Sequence, residues 1–441
     1  MPLPTQVAGQ NYLNQVQTYQ MSELAYLQNT YAQIANYNKK FKDFEKLTGN
    51  LGSSVTYDVQ PKFATSTSLV ANFQTSAQQV RTLTVDQSWN TSYQFTSEQF
   101  VFNVKDYMQK FGKTAAVELG SKVESYISSQ ATSHIYRYFG NGTTAINSYG
   151  QLANAIALLH NIGAPRGSVK GFIPDIAVPS IVSTGLQQFV LDRNERTANS
   201  WELGSFGGVD WYSSNMLDSH MAGFGGVNGT VLTVTGVTRD TRDADGGITS
   251  ITCSTGGLAA TTNFLMAGDV MKFNDGVAGQ PNVRFFTYNG QVTSASPVQL
   301  VCTSTVSSTL NAVTFSFAPK LYDTYSVTQA SNPTWYADNL KNQNVNVTIT
   351  NGMQLSIANS HVVGYLMAGD AGFLSTPRLP DQIPFPTSNL VDPDTGLSFR
   401  KYYGAKFGLN QMGFVNDIIA GVDIVPEYCL KILFPISTAL V

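Results

Sequence analysis

Charge is scarce in this sequence. Asp, Glu, Lys and Arg make up 12% of its 441 residues, against roughly 25% in an average soluble domain. The net charge is −3, so the basic balance of a nucleic-acid reader is missing. Cysteine is nearly absent. Cys253, Cys302 and Cys429 form no CxxC and cannot all pair, which argues against a disulfide framework and fits synthesis in a reducing cytosol. The histidines, His134, His160, His220 and His361, show no i,i+3 or i,i+4 pairing and no HExxH. They read as core or surface residues rather than metal ligands. There is no GxSxG and no GxxxxGK followed by Ser or Thr, and Gly204, Gly207 and Gly208 lack dinucleotide-binding spacing. Neither a hydrolase constellation nor a phosphate loop is expected. No apolar run is long enough to predict a transmembrane helix. The opening MPLPTQVAGQNYLNQ has no cationic stretch ahead of an apolar one and does not read as a secretory signal.

Apolar material is plentiful. Hydrophobic residues reach 42% and aromatics 11%, which excludes a disordered chain. The length predicts two to four domains at about 150 residues each. Ser, Thr, Asn, Gln and Gly fill the place of charge. A surface of amides and hydroxyls is desolvated more cheaply than one of ions, and it lacks the charge that keeps monomers apart. The composition predicts a surface largely covered by neighbours, as in shells, fibres and adhesins.

Along the chain the period changes several times. Leu13, Val16, Leu24, Leu27, Tyr31 and Ile34 have loosely helical spacing, and Lys39, Lys40, Lys42 and Lys46 follow as a solvated helix end. Val55, Tyr57 and Val59 alternate with polar residues, and Leu83, Val85, Trp89, Tyr93 and Phe95 share the odd positions of a second alternating run. Residues 52–100 therefore predict a long two-stranded excursion. Such a ribbon is marginal alone in water and must lie on something else, a neighbouring subunit being the expected bed. Val104, Tyr107, Met108, Phe111, Ala115, Leu119, Val123, Tyr126 and Ile127 predict a helix over 101–139, stopped by Gly140-Asn141-Gly142.

Leu152, Ile156 and Leu159 predict a second helix, ended by Gly163 and Pro165. Residues 171–180 read as a buried strand, Ile181–Leu191 as helix, 193–208 as a polar loop and 208–215 as a strand. From 226 to about 320, Thr, Ser, Gly and Val dominate and turn signals recur, predicting an inserted all-β domain at about 226–350, a small barrel or sandwich. Val422, Ile424, Val425, Leu430, Ile432 and Leu433 predict core strands near the end. Two acidic stretches, Asp243-Ala244-Asp245-Gly246 and Asp392-Pro393-Asp394-Thr395-Gly396, read as turns. The first has Thr241 and Thr252 where a calcium loop needs its first ligand and its bidentate Glu.

An N-terminal arm, a long hairpin, a long helix, an α/β region and a β-rich insertion, in that order, resemble the major capsid proteins of tailed phages, the Hong Kong 97-like fold. The insertion makes the chain similar to the coat proteins of short-tailed Salmonella-type phages, where a β-barrel domain is inserted after a GFD-type strand. Gly208-Val209-Asp210-Trp211-Tyr212-Ser213-Ser214 stands at that position. Met266-Ala267-Gly268-Asp269-Val270-Met271-Lys272-Phe273 resembles that family's Gly-Asp-hydrophobic-Lys strand. Ala358–Tyr365 and Thr376-Pro377-Arg378-Leu379 fall where that family returns to its main fold.

The resemblance implies an α+β chain divided into an N-terminal arm (1–51), an extended hairpin loop (52–100), a spine helix with peripheral domain (101–144), the first part of an apical domain (145–225), an inserted β-barrel-like domain (226–350) and the apical and peripheral remainder (351–441). It implies a non-enzymatic virion subunit without cofactors, made in the host cytoplasm. Its partners would be itself in hexamers and pentamers, a scaffolding protein, a portal and, by weak non-specific contact, packaged double-stranded DNA. No membrane partner is implied. Arg239, Asp240, Arg242, Asp243 and Asp245 would form an inter-capsomer loop. Lys62, Arg81 and Trp89 would make inter-subunit contacts from the hairpin. Lys–Asn cross-links occur in some shells of this fold, but Lys62 has no identifiable Asn partner and reads as an ordinary polar contact. The alternative from composition is a β-rich virion or extracellular adhesin.

Overall fold

A computed structural model describes residues 32–39, 54–59, 79–185, 204–240, 246–288, 292–325, 342–381, 385, 387–391, 397–405 and 411–436. They fall into two compact units. The first lies within Met1–Thr56, Thr82–Ile127 and Gly372–Asp423, the second within Tyr57–Arg81, Ser128–Ala371 and Ile424–Val441. Strands outnumber helices among the described residues, which are more β-rich than the α+β expectation anticipated.

The two alternating runs form three strands. β1 (Ser54–Val59) and β2 (Gln79–Thr84) pair as a two-stranded ribbon. β3 (Gln87–Thr96) leaves it and pairs antiparallel with β21 (Gln411–Ile424) from Gln87↔Ala420 to Thr96↔Gln411. This corrects the expectation that all of 52–100 lacks a bed in its own chain: the second half of the excursion is seated at home. The alternation itself holds. Leu83 and Phe95 are buried, Val85, Trp89 and Tyr93 half-buried, and the even positions 82–94 exposed.

The long helix runs Ser97–His134, about 57 Å at 1.5 Å per residue, and continues through Gly112 and Gly120. Ala115, Leu119, Val123, Ile127 and Ala131 give it a buried stripe. It stops five residues short of the predicted end. Ile135, Tyr136, Arg137 and Tyr138 are buried in succession, which one helical face cannot achieve. β4 (Tyr138–Phe139) instead pairs in parallel with β22 (Cys429–Pro435).

In the second unit β4, β22, β17 (His361–Ala368), β5 (Val169–Pro174), β7 (Val209–Ser214) and β6 (Ser205–Phe206) lie side by side in that order, with β8 (Ser219–His220) also on β17. Every residue of β22 is buried, as expected for a strand covered on both faces. A helix at Tyr149–Asn161 packs on this sheet through Leu152, Ala155, Ile156 and Leu159, against Val169, Val209, Trp211, Leu366 and Ile432. Ser148 caps its start by accepting from Gln151 N, and Gly163 at φ +98 ends it.

The predicted strand 171–180 is shorter than expected. Pro174 closes β5, a 3-10 turn covers Asp175–Ala177, and a helix begins at Val178 with Pro179 in its first turn, where a missing N–H costs nothing. That helix ends at Gly185, and 186–191 lie outside the described residues. Of the predicted loop 193–208, residues 204–208 are described, and β6 occupies part of them. Gly207 and Gly208, at φ +62 and +78, turn it tightly into β7.

A closed six-stranded barrel stands where the β-rich stretch is predicted, but it draws in Gln354–Ile357, past the expected boundary at 350. Its strands, in order round the ring, are β10 (Ile248–Ser254), β15 (Ala312–Leu321), β14 (Gln299–Cys302), β11 (Val270–Phe273), β16 (Gln354–Ile357) and β9 (Val231–Arg239). A small hairpin of β12 (Arg284–Phe286) and β13 (Thr293–Pro297) accompanies it. Val313, Phe315 and Phe317 point inward while Thr314 and Ser316 point out. Leu232, Val234, Ile251, Leu300 and Leu355 complete the lining, each burial contributing about 1.5–3 kcal/mol. Closure leaves the six strands without a free edge.

The first unit's sheet orders β18 (Gly372–Ser375), β21, β20 (Ser398–Ala405) and β19 (Thr387–Val391), with β3 on β21. β21 passes the β2–β3 turn at Gly421, where a Cβ would lie 2.4 Å from the Thr84 carbonyl oxygen and 2.8 Å from Val85 Cα. Both are backbone atoms and cannot swing aside. Gly421→Ala should cost about 1–3 kcal/mol, read as a lower melting temperature. Gly413→Ala in the same strand, with nothing nearer than 3.9 Å, is the control and should melt close to wild type.

Candidate functional site

The loop joining β9 to β10 is pinned at its base. The Arg239 guanidinium donates to both carboxylate oxygens of Asp323 at 2.8 Å each, and Asp323, 0% exposed, also accepts from Ile349 N at 2.9 Å. The Arg239 plane lies 4.4 Å from the Tyr325 ring centroid. Lys320 Nζ meets Asp240 at 3.1 Å. Arg239 and Asp240, two of the charges assigned by sequence to an outward contact, are thus paired within the barrel domain, with both side chains partly exposed. Arg242, Asp243 and Asp245 lie outside the described residues, as does the second acidic turn at 392–396.

On the ribbon, Arg81 donates to the Ile424 carbonyl at 2.9 Å and approaches Glu427 at 3.7 Å, a half-exposed pair contributing little. Trp89 meets the Tyr126 ring edge-on at 5.6 Å. The Tyr126 hydroxyl donates to Asp86 at 2.9 Å, and burial together with that carboxylate pushes the phenol up. Arg81 and Trp89 are placed about two separate elements and are not brought into one cluster. Lys62 lies outside the described residues.

Sequence reasoning missed a buried polar junction in the second unit. His220 and His361, treated as scattered, are register partners on β8 and β17, their rings 5.4 Å apart. His220 Nε2 donates to Asp269 at 2.7 Å, and the same carboxylate accepts from Gly223 N at 3.1 Å and Met266 N at 2.7 Å. Lys431 on β22 is fully buried and donates to the Thr132 carbonyl. Burial pulls the Lys431 ammonium down to about 7, against the opposing pull of Asp269 and Asp218. Arg137, also fully buried, donates to the Leu158 and Leu159 carbonyls, near the C-terminal, negative end of their helix. The only linear signal was the Gly268-Asp269 step ahead of β11; nothing in the sequence joins His220 to His361.

Two clefts of about 450 and 390 Å³ share Lys272 and Pro297. Asp275 in the larger is paired with Arg284 at 2.9 Å, and the smaller is walled by Tyr138, Phe139, Ile146 and Leu158. Neither lining pairs a nucleophile with a base. Among the described residues no group of three His, Cys, Asp or Glu is arranged to hold a metal ion, and no helix is long and apolar enough to cross a membrane. All three thiols are buried, and burial pushes Cys253 and Cys302 up to about 12, which makes them poor nucleophiles.

No family model matches the chain, and no curated protein matches it. Among solved structures it is similar to one from Mycobacterium phage Che8, at 9% identity and TM-score 0.44 over 90% of each chain. It is similar to the capsid structure of the Cyanophage P-SCSP1u, at 10% identity and TM-score 0.42 over 97% of this chain and 92% of that one. A virus-like particle from Pyrococcus furiosus gives 8% identity and TM-score 0.41 over 95% and 100%. At TM-scores under 0.5 these likenesses assign no fold family by themselves.

Proposed function

We propose that this chain is a major capsid subunit that assembles into the icosahedral shell of a tailed phage around double-stranded DNA. The observation that carries the reading is the β1–β2 ribbon, which joins no other sheet among the described strands. Its base is seated, with Leu83 buried, but two strands alone are marginal in water, and a second copy is the bed that a shell provides. The charge-poor surface supports it, since covering such a surface sacrifices few hydrated ions. The order of ribbon, long helix, sheet and inserted barrel supports it too. Hexamers and pentamers, a scaffolding protein, a portal and weak contact with DNA belong to this reading, as does a role without catalysis.

Negative-stain microscopy of the purified chain, alone and co-expressed with a candidate scaffolding protein, is the direct test. Closed polyhedral particles are expected; elongated spikes would favour the adhesin reading, and monomers under both conditions would sink the shell. The β9–β10 loop offers a finer test. Beyond Arg239 and Asp240, which pair within the barrel domain, the charges assigned to this contact include Arg242 and Asp243. Arg242→Asp and Asp243→Arg should each reduce particle yield, and the double reversal should recover part of it. Unchanged yield in both singles would remove the loop from the interface.

A further inference from the structure

The His220–His361 junction stands where the chain leaves the sheet for the barrel and where it returns. β8 carries the outgoing chain and β17 the returning one, paired through His220↔His361 and Ser219↔Val362. The Asp269 turn, immediately ahead of β11, belongs to the barrel, and its carboxylate holds the outgoing chain at His220 and Gly223. Ala222 N is held from the returning side by Ser360 Oγ at 3.0 Å. One small polar cluster therefore fastens the barrel to its sheet.

The proton inventory of His361 is fixed by geometry. Nδ1 lies 2.6 Å from the Asn359 carbonyl oxygen. That oxygen can only accept, so Nδ1 carries the hydrogen and Nε2 presents a lone pair. Nε2 is buried with no hydrogen-bond partner. A proton arriving there would make a buried cation with an unanswered N–H. The charged and titratable groups acting on it are Lys431 from β22 and His220 from β8; Asp269 and Asp218 act in turn on Lys431, and Asp269 bonds His220. Asp269 already accepts from His220 and two backbone amides, and Lys431 adds repulsion.

We propose that this junction is an acid-operated latch: protonation of His361 Nε2 drives the ring out of the junction, opens the β8–β17 pairing and releases the Asp269 turn, so that the barrel loosens from its sheet.

Burial, with the charges of Lys431 and His220, holds the His361 imidazole down at about 3, against an ordinary 6.5. The closed junction therefore needs the neutral ring. Its contribution is complete above pH 6.5, is lost as pH falls from 6.5 to 3, and changes no further below. Lys431 acts in a separate window: its folded value of about 7 against 10.5 weakens the fold as pH falls from 10.5 to 7 and leaves the acid range untouched. At pH 4.5 the His361 shift corresponds to a rise of about a hundredfold in the open population.

Native-state hydrogen exchange of the Ala222, Gly223 and Met266 amides at pH 7 and 4.5, corrected for intrinsic exchange, reads that change. Wild-type protection should fall about a hundredfold. In His361→Asn, whose amide keeps the donor to the Asn359 carbonyl and takes up no proton, the fall should shrink to less than about tenfold. An equal fall in both chains overturns the latch. Should that variant fail to fold, the wild-type chain still decides. With four histidines, their imidazole Cε1–H resonances are separable by NMR, and that of His361 should hold its neutral position down to pH 4.5. Titration of His361 near 6.5 overturns the latch. Neither measurement depends on the shell reading, and failure of assembly would leave both intact.

Discussion

Asp323→Ala should destabilise the barrel by about 3–5 kcal/mol, the usual cost of stripping one partner from a buried ion pair. The carboxylate is fully enclosed, meets both arms of the Arg239 fork, and also satisfies the Ile349 amide. Truncation leaves the guanidinium 16% exposed with its best partner gone, and an amide buried without an acceptor. A urea midpoint well below wild type, with faster proteolysis of the barrel, is the expected result. Asp323→Asn should fall between the two, because one oxygen still accepts. The pair Arg239→Met with Asp323→Leu should recover most of the loss, since an apolar replacement removes both charges together. A wild-type midpoint for Asp323→Ala would mean that the fork holds nothing. The effect reaches the proposed interface indirectly: the base of the β9–β10 loop is what the fork fixes.

Glu124→Ala should release the segment 32–39 from the first unit. A helix of five residues, Ala32–Asn36, cannot stand alone. Its first-turn amides, Gln33 N and Ile34 N, donate to the two oxygens of Glu124 at 3.0 and 3.1 Å, and Glu124 is 1% exposed. The carboxylate serves both as acceptor and as the negative charge a helix start favours. Two charge-assisted bonds at about 1.5–3 kcal/mol each set a loss of about 3–6 kcal/mol for docking the segment. Its far end is held separately, by Asn38 N on the Gly372 carbonyl and Leu374 N on the Asn38 carbonyl. Exchange protection at Gln33 and Ile34 should vanish in Glu124→Ala, and that at Leu374 should drop with it. Glu124→Gln should keep about half the effect, because an amide offers one acceptor and turns a donor toward the second N–H. Persistent protection would assign the docking to Ile34 and Tyr37 alone.

Periodicity made the local elements legible. The stripe from Ala115 to Ile127, the odd-position alternation of 83–95 and the Thr/Val-rich barrel strands all follow from which faces are apolar. What periodicity does not carry is partner choice. β3 is as amphipathic as a ribbon strand, and only β21, more than three hundred residues later, makes it part of a sheet. The end of the long helix was misplaced for a related reason. Gly140 is a strong stop, but pairing with β22 draws Tyr138 into a strand first. The sequence predicts an outward role for Arg239 and Asp240, yet they pair within the barrel domain, and Asp323, Glu124 and Lys431 are buried, where only three-dimensional neighbours can satisfy them. The His220–His361 pair was invisible because its spacing is set by everything inserted between the two residues.

That spacing has a consequence for how such a chain can be rebuilt. Ser219 and His220 face Val362 and His361 across one antiparallel step, and β9 and β16, the strands through which the barrel begins and ends, also run side by side. The whole of 221–360 hangs from two adjacent positions, about 5 Å apart as paired strands are. It can be cut out as a cassette and the gap closed by a two-residue turn, provided that Tyr136, Tyr138, Ile162 and Leu433, which pack against the barrel core, receive polar replacements. Different cargo grafted at the same seam would leave the strand order of the host sheet unaltered.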